Sequence, residues 1–171
     1  MFDKNLIIGV AITLAALMIG GSIMNSANAL TILCNFTGPC FGTDGDDTIT
    51  GDSQDNHINA KKGNDVVYGS KGNDEICGYD GNDQILGGEG NDIIDGDRGS
   101  GNVCDLPGVV ISGADKILGG PGDDILFHGS KASSPDGNRD YLDCGPGNDE
   151  AWINSSVDHD TAINCETVHS E

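Results

Sequence analysis

The sequence predicts an all-β solenoid built from two parallel sheets. Three observations carry the prediction. A nine-residue unit recurs between residues 42 and 152, its sixth position is acidic almost throughout, and its eighth is apolar throughout. The pattern is plainest in residues 69–95, which read GSKGNDEIC GYDGNDQIL GGEGNDIID. Self-similarity at a short fixed period is the mark of a chain wound in coils.

The elements follow in chain order. Residues 1–29 hold Lys4, an apolar run from Leu6 to Gly21, and the small-residue sequence Ala27-Asn28-Ala29. They read as a secretory signal peptide cleaved before Leu30. Left uncleaved, the stretch Leu6 to Met24 is nearly long enough to anchor the chain in a membrane. Either way the rest of the chain is exported, which gives the six cysteines the meaning of disulfides. Asn35-Phe36-Thr37 and Asn154-Ser155-Ser156 are glycosylation sequons. Residues 30–41 form an N-terminal cap in which Cys34 and Cys40 bracket a small loop.

Units begin at Gly42, Gly51, Ala60, Gly69, Gly78 and Gly87. Unit seven starts as Gly96-Asp97-Arg98, is interrupted by an insertion at 99–112, and resumes at Gly113 to Leu118. Gly119 to Phe127 is intact. Unit nine starts at His128, is interrupted at 131–137, and ends with Asn138 to Asp143; unit ten is Cys144 to Trp152. Position six reads Asp47, Asn56, Asp65, Asp74, Asp83, Asp92, Asp115, Asp124, Asp140 and Asp149. Position eight reads Ile49, Ile58, Val67, Ile76, Ile85, Ile94, Ile117, Leu126, Leu142 and Ala151.

Positions seven to nine suit a three-residue strand with position eight pointing to one side. Glycines at positions one and four permit backbone shapes closed to other residues. Two units then make one coil, alternate units fall on opposite faces, and the position-eight side chains meet between two parallel sheets. Five coils spaced about 4.8 Å apart give a rod of roughly 24 Å. Both insertions fall in the same row of turns. Residues 153–171 close the far end, with Cys165 in reach of Cys144.

So thin a core cannot hold the chain alone. There are 28 acidic residues against eight basic ones, for a net charge of −20. Phosphate would be repelled, which excludes nucleic acid as a partner. Stacked turns bring the position-six carboxylates together, and they repel unless a cation lies between them. Ca²⁺ suits such a site, because it takes about six to eight oxygens from carboxylates and backbone carbonyls. Zn²⁺ suits it less, since the units contain no His/Cys pattern. Five turns per row leave at most about eight gaps, and eight divalent ions would reduce −20 to about −4. Asn56 and Gln54 weaken the gap between Asn56 and Asp74.

These units match the G-G-x-G-x-D-x-U-x nonapeptide and resemble the RTX, or hemolysin-type, calcium-binding repeat. The resemblance implies a right-handed parallel β-roll that binds Ca²⁺ in both rows of turns and folds when calcium arrives, closed by a short disulfide-linked C-terminal cap. It implies metal ligation by the nine position-six Asp residues (Asp47, Asp65, Asp74, Asp83, Asp92, Asp115, Asp124, Asp140, Asp149) and at Gly45, Gly63, Gly72, Gly81, Gly90, Gly122 and Gly147. The chain departs from well-known members in its N-terminal signal and its six cysteines. Cys77 precedes turn five and Cys104 lies in the insertion of turn seven, so a Cys77–Cys104 bond fits the stacking.

No Ser-His-Asp or Cys-His motif is evident around His57, His128, His159 or His169. His159, in Val157-Asp158-His159-Asp160, could bind a metal at the cap or belong to a solvated charge cluster. Outward positions of the odd face show no Thr ladder of the ice-binding kind; Tyr68, Leu86 and Leu118 form a short apolar stripe instead. The expectation is a non-enzymatic, extracellular calcium-binding module, secreted or surface-attached, with a structural or adhesive role. A membrane is a partner only if the N-terminal segment stays uncleaved. The competing expectation is a small exported hydrolase or toxin-like effector with its chemistry in the inserted loops.

Overall fold

The computed structural model describes residues 29–35, 38–96, 113–128, 137–153 and 158–170. Residues 1–28, nearly all of the expected signal peptide, lie outside them, as do both sequons' hydroxyl residues, Cys104 and nearly all of the two insertions. The strands are β1 (Thr31–Leu33), β2 (Cys40–Phe41), β3 (Thr48–Thr50), β4 (His57–Lys62), β5 (Val66–Lys71), β6 (Glu75–Asp80) and β7 (Gln84–Glu89). They continue as β8 (Ile93–Asp95), β9 (Lys116–Leu118), β10 (Ile125–Phe127), β11 (Tyr141–Asp143), β12 (Glu150–Ile153), β13 (Thr161–Ile163) and β14 (Thr167–Ser170). Odd strands form one seven-stranded sheet and even strands another, each in simple sequence order and each parallel. The chain is therefore a two-sheet parallel β-roll.

The register is that of the repeat. Ile49, Val67, Ile85, Ile117 and Leu142 pair in succession along the odd sheet. Ile58, Ile76, Ile94, Leu126 and Ala151 do so along the even sheet. Every one of these side chains is buried, and together they are the core. A fully buried Ile or Leu contributes about 2–3 kcal/mol, so one such residue per rung is a modest supply. Ile85 pairs directly with Ile117, so the ladder keeps its register across the first insertion.

The terminal segments cap the roll by extending it. Ile32 pairs with Ile49 at one end. Ala162 pairs with Leu142, and Val168 with Ala151, at the other. These rungs add to the five coils expected from the repeat. The central strands β4 to β7 are also twice the expected length, because the ladder continues through positions one to three. That continuation requires left-handed backbone at position two, adopted by Lys61, Ser70 and Tyr79 with φ of 82°, 88° and 77°. Disulfides Cys34–Cys40 and Cys144–Cys165 fasten the two ends. Cys77 is disulfide-bonded too, while its expected partner Cys104 lies outside the described residues.

Candidate metal centres

Each turn places its position-six carboxylate by the same device. One oxygen accepts a hydrogen bond from the backbone N–H of the position-six residue one coil earlier. In the odd row the amides of Asp47, Asp65, Asp83 and Asp115 donate to Oδ1 of Asp65, Asp83, Asp115 and Asp140, at 2.6–2.8 Å. In the even row those of Asn56, Asp74, Asp92 and Asp124 donate to Asp74, Asp92, Asp124 and Asp149, all at 2.8 Å. The rows run on into the terminal coil, where Asp160 accepts from Asp140 and Glu166 from Asp149. A second ladder explains the Asn of the Gly-Asn-Asp signature. Position-five side chains accept from the next coil's amide, as in Asn82 N–H to Asn64 Oδ1 and Asn91 N–H to Asn73 Oδ1.

The second carboxylate oxygen has a different fate. Oδ2 of Asp65, Asp74, Asp83, Asp92, Asp115, Asp124 and Asp149 is buried and accepts no hydrogen bond, while that of Asp140 faces the His128 ring. Leaving so many buried acceptors unsatisfied is costly, which points to a missing positive partner. Burial drives the carboxyls of Asp65, Asp74, Asp83, Asp92, Asp115, Asp124 and Asp149 upward, and in all of these but Asp92 neighbouring carboxylates add to the effect. Asp65, Asp83 and Asp124 are each pushed up to about 7 and Asp74 to about 6. Asp115 is pushed up to about 8 by burial and by the charge of Asp83. Burial also raises Asp92 and Asp149.

Above each free oxygen lies the position-one residue of the same unit. A methyl group placed on Gly69, Gly78, Gly87, Gly96 or Gly119 would come within 2.4–2.5 Å of Oδ2 of Asp74, Asp83, Asp92, Asp115 or Asp124. At Gly69, Gly78, Gly87 and Gly119 a backbone carbonyl of the next coil's position one lies as close, at 2.4–2.7 Å. None of these five glycines has left-handed backbone, so their role is space. Carboxylate and carbonyl oxygens converging on a space that a Cβ would fill suit a hard cation such as Ca²⁺.

The position-four glycines named from the sequence serve the stacking more directly. A Cβ on Gly81, Gly90, Gly122 or Gly147 would lie 1.6–1.8 Å from the carbonyl oxygen of the coil before. Gly63 and Gly72 sit against backbone similarly, with left-handed φ of 122° and 110°. Gly45 lies directly beneath Gly63.

Three positions break the cradle. Ala60 stands where the Asp65 unit should have Gly, and Cys144 where the Asp149 unit should. His128 does so above Asp140, and its imidazole is buried there with Nδ1 2.9 Å from Asp140 Oδ2. Asp47 is also set apart, because its oxygens accept from the Leu30 and Thr43 amides. His57 lies half-exposed on the outer face beside Glu75. His159 points outward with φ of 64°, while its neighbours Asp158 and Asp160 are buried. Sequence reasoning overlooked His128, although its place at a Gly position was the available signal.

Neither the curated proteins nor the solved structures include a match to the chain. A family model describing the RTX calcium-binding nonapeptide repeat, in four copies, matches residues 41–76, 78–103 and 112–130. With the coils, the paired carboxylate rows and the glycine cradles in place, the chain belongs to the RTX calcium-binding repeat family.

Proposed function

We propose that this chain is a calcium-binding structural module that works outside the cell and acquires its fold when calcium is present there. The observation that carries the reading is the set of seven buried carboxylate oxygens, those of Asp65, Asp74, Asp83, Asp92, Asp115, Asp124 and Asp149, without a hydrogen-bond donor. Calcium supplies the positive charge that such oxygens lack. The chain's own residues do the rest: Oδ1 of each Asp ties one coil to the last, and Oδ2 is held toward the glycine cradle. Five cradles, those of Asp74, Asp83, Asp92, Asp115 and Asp124, combine a free oxygen with a position-one Gly. They are the ion sites of this proposal, fewer than the eight gaps that stacking alone allows.

Export is supported by the two described disulfides, which persist in oxidising surroundings. An adhesive side is supported by exposed Leu33, Tyr68, Leu86 and Ile163 on the odd sheet. RTX repeat rolls are typically non-catalytic, in keeping with a module that acts through its shape. Far-ultraviolet circular dichroism of the full chain during a Ca²⁺ titration, with Mg²⁺ as control, tests the proposal. A cooperative gain of β-structure near about 1 mM Ca²⁺ and none with Mg²⁺ is expected. A chain already folded in chelator would overturn the coupling.

A further inference from the structure

The geometry points to a second kind of metal site in the last gap of the odd row, made by His128, Asp140 and Asp160 and suited to Zn²⁺ or a similar first-row divalent ion. One ligand atom from each of the three lies within 4.8 Å of the others, and all three residues are buried. The imidazole stands between two carboxylates, with Nδ1 2.9 Å from Asp140 Oδ2 and Nε2 3.6 Å from Asp160 Oδ2. All three side chains are essentially inaccessible to solvent.

The scaffold fixes every member. The His128 amide donates to the Trp152 carbonyl at 3.0 Å. Asp140 Oδ1 accepts from the Asp115 amide and Asp160 Oδ1 from the Asp140 amide. Each carboxylate is thus turned so that its other oxygen faces the ring. Backbone bonds of this kind are the outer-sphere support that metal ligands usually have.

The donor set decides the metal. The other cradles offer oxygen alone, which suits Ca²⁺. Here a ring nitrogen fills the space that glycine leaves open, and imidazole is a ligand for Zn²⁺, Cu²⁺, Fe²⁺ or Ni²⁺. One nitrogen and two carboxylate oxygens resemble the three-residue donor sets of zinc sites. A divalent ion would balance Asp140 and Asp160 with the imidazole neutral. The site stands apart from the calcium reading, since it uses none of the five glycine cradles.

The test uses the full chain held in excess Ca²⁺, so that the calcium cradles cannot take up the probe. Zn²⁺ is added, free metal is removed by dialysis, and retained zinc is counted. Co²⁺ replaces Zn²⁺ in a parallel sample for its visible absorption. One tightly held equivalent is expected, together with the absorption of a nitrogen-and-oxygen-ligated Co²⁺. His128→Gly restores the residue that most units carry at this position. It should lower zinc affinity by more than about a hundredfold, because changes outside the first ligand sphere already cost about 10- to 100-fold. It should leave the calcium-induced dichroism in place, which separates this site from the calcium proposal. Asp160→Asn provides a second variant with the same expected loss of zinc. The assignment is overturned if the unaltered chain retains no zinc in calcium, or if His128→Gly and Asp160→Asn retain as much as it does.

Discussion

Gly78→Ala asks whether a cation sits where the structure leaves room for one. The added methyl would lie 2.4 Å from Asp83 Oδ2 and 2.4 Å from the Gly96 carbonyl oxygen. A real Cβ essentially never comes within 3.0 Å of a neighbour, so one or both oxygens must retreat by about 0.6 Å. Metal–oxygen distances tolerate about 0.2 Å, so the site is lost. Gly78 has no left-handed φ, and the methyl therefore adds no backbone strain to confuse the result. What remains is a buried Asp83 carboxylate without its counter-charge. Its folded-state value of about 7, against 3.8 in a free chain, corresponds to about 4 kcal/mol at neutral pH. A loss of that order in saturating calcium is expected. It would be read as a higher calcium midpoint by circular dichroism and one ion fewer by chelator competition. Gly137→Ala is the control, because nothing lies within 4 Å of its Cβ. Its left-handed φ of 87° should cost about 1 kcal/mol without changing the ion count. An unchanged midpoint and stoichiometry in Gly78→Ala would refute the cradle as the ion's seat.

Three further outcomes follow from the same geometry. The raised carboxyls of Asp65, Asp74, Asp83 and Asp124 favour the folded state when protonated, so stability without calcium is greatest below 3.8 and is lost as pH rises through about 6 to 7. Acidifying the chain in chelator from pH 7.5 to pH 4, at about the ordinary carboxyl range, should therefore increase β-structure; a decrease would contradict the argument. Ala60→Gly removes the methyl at the cradle of Asp65 and should raise calcium stoichiometry by one in the same chelator assay. Replacing Cys144 and Cys165 together by Ala opens a bridge spanning 21 residues and should cost about 3 kcal/mol in urea unfolding with calcium present.

The core was legible because its period equals the coil. Ile49 through Ala151 fall at position eight, and each is buried. The position-six row was legible for the same reason. The terminal rungs were not, since Ile32, Ala162 and Val168 sit outside any Gly-Asp unit and pair only through the sheet. Asp160 and Glu166 take the role of position six after a segment that breaks the period, and Glu166 changes the side chain as well. The glycines at position one could be read as conformational, but their φ values are unexceptional and their function is the space beneath Asp Oδ2. Only packing across coils reveals that. His128 was hidden in a similar way, because its two carboxylate neighbours are 12 and 32 residues away in sequence.

The position-six bonds between coils all point the same way. Each position-six carboxylate from Asp65 onward reaches back to the position-six amide of the coil before it, and the position-six amides from Asp47 to Asp124 are secured by the coil that follows. The rod is therefore polar, like a filament with unlike ends. At the leading end Asp47 grips the Leu30 amide of the terminal rung with Oδ1 and closes on the Thr43 amide of its own unit with Oδ2. At the trailing end the amides of Asp140 and Asp149 depend on Asp160 and Glu166. Cutting from the front strands carboxylates, which a cation can still satisfy, whereas cutting from the back strands buried amides, which no cation can. A chain made from its N-terminus thus leaves each position-six amide unsecured until the following coil exists.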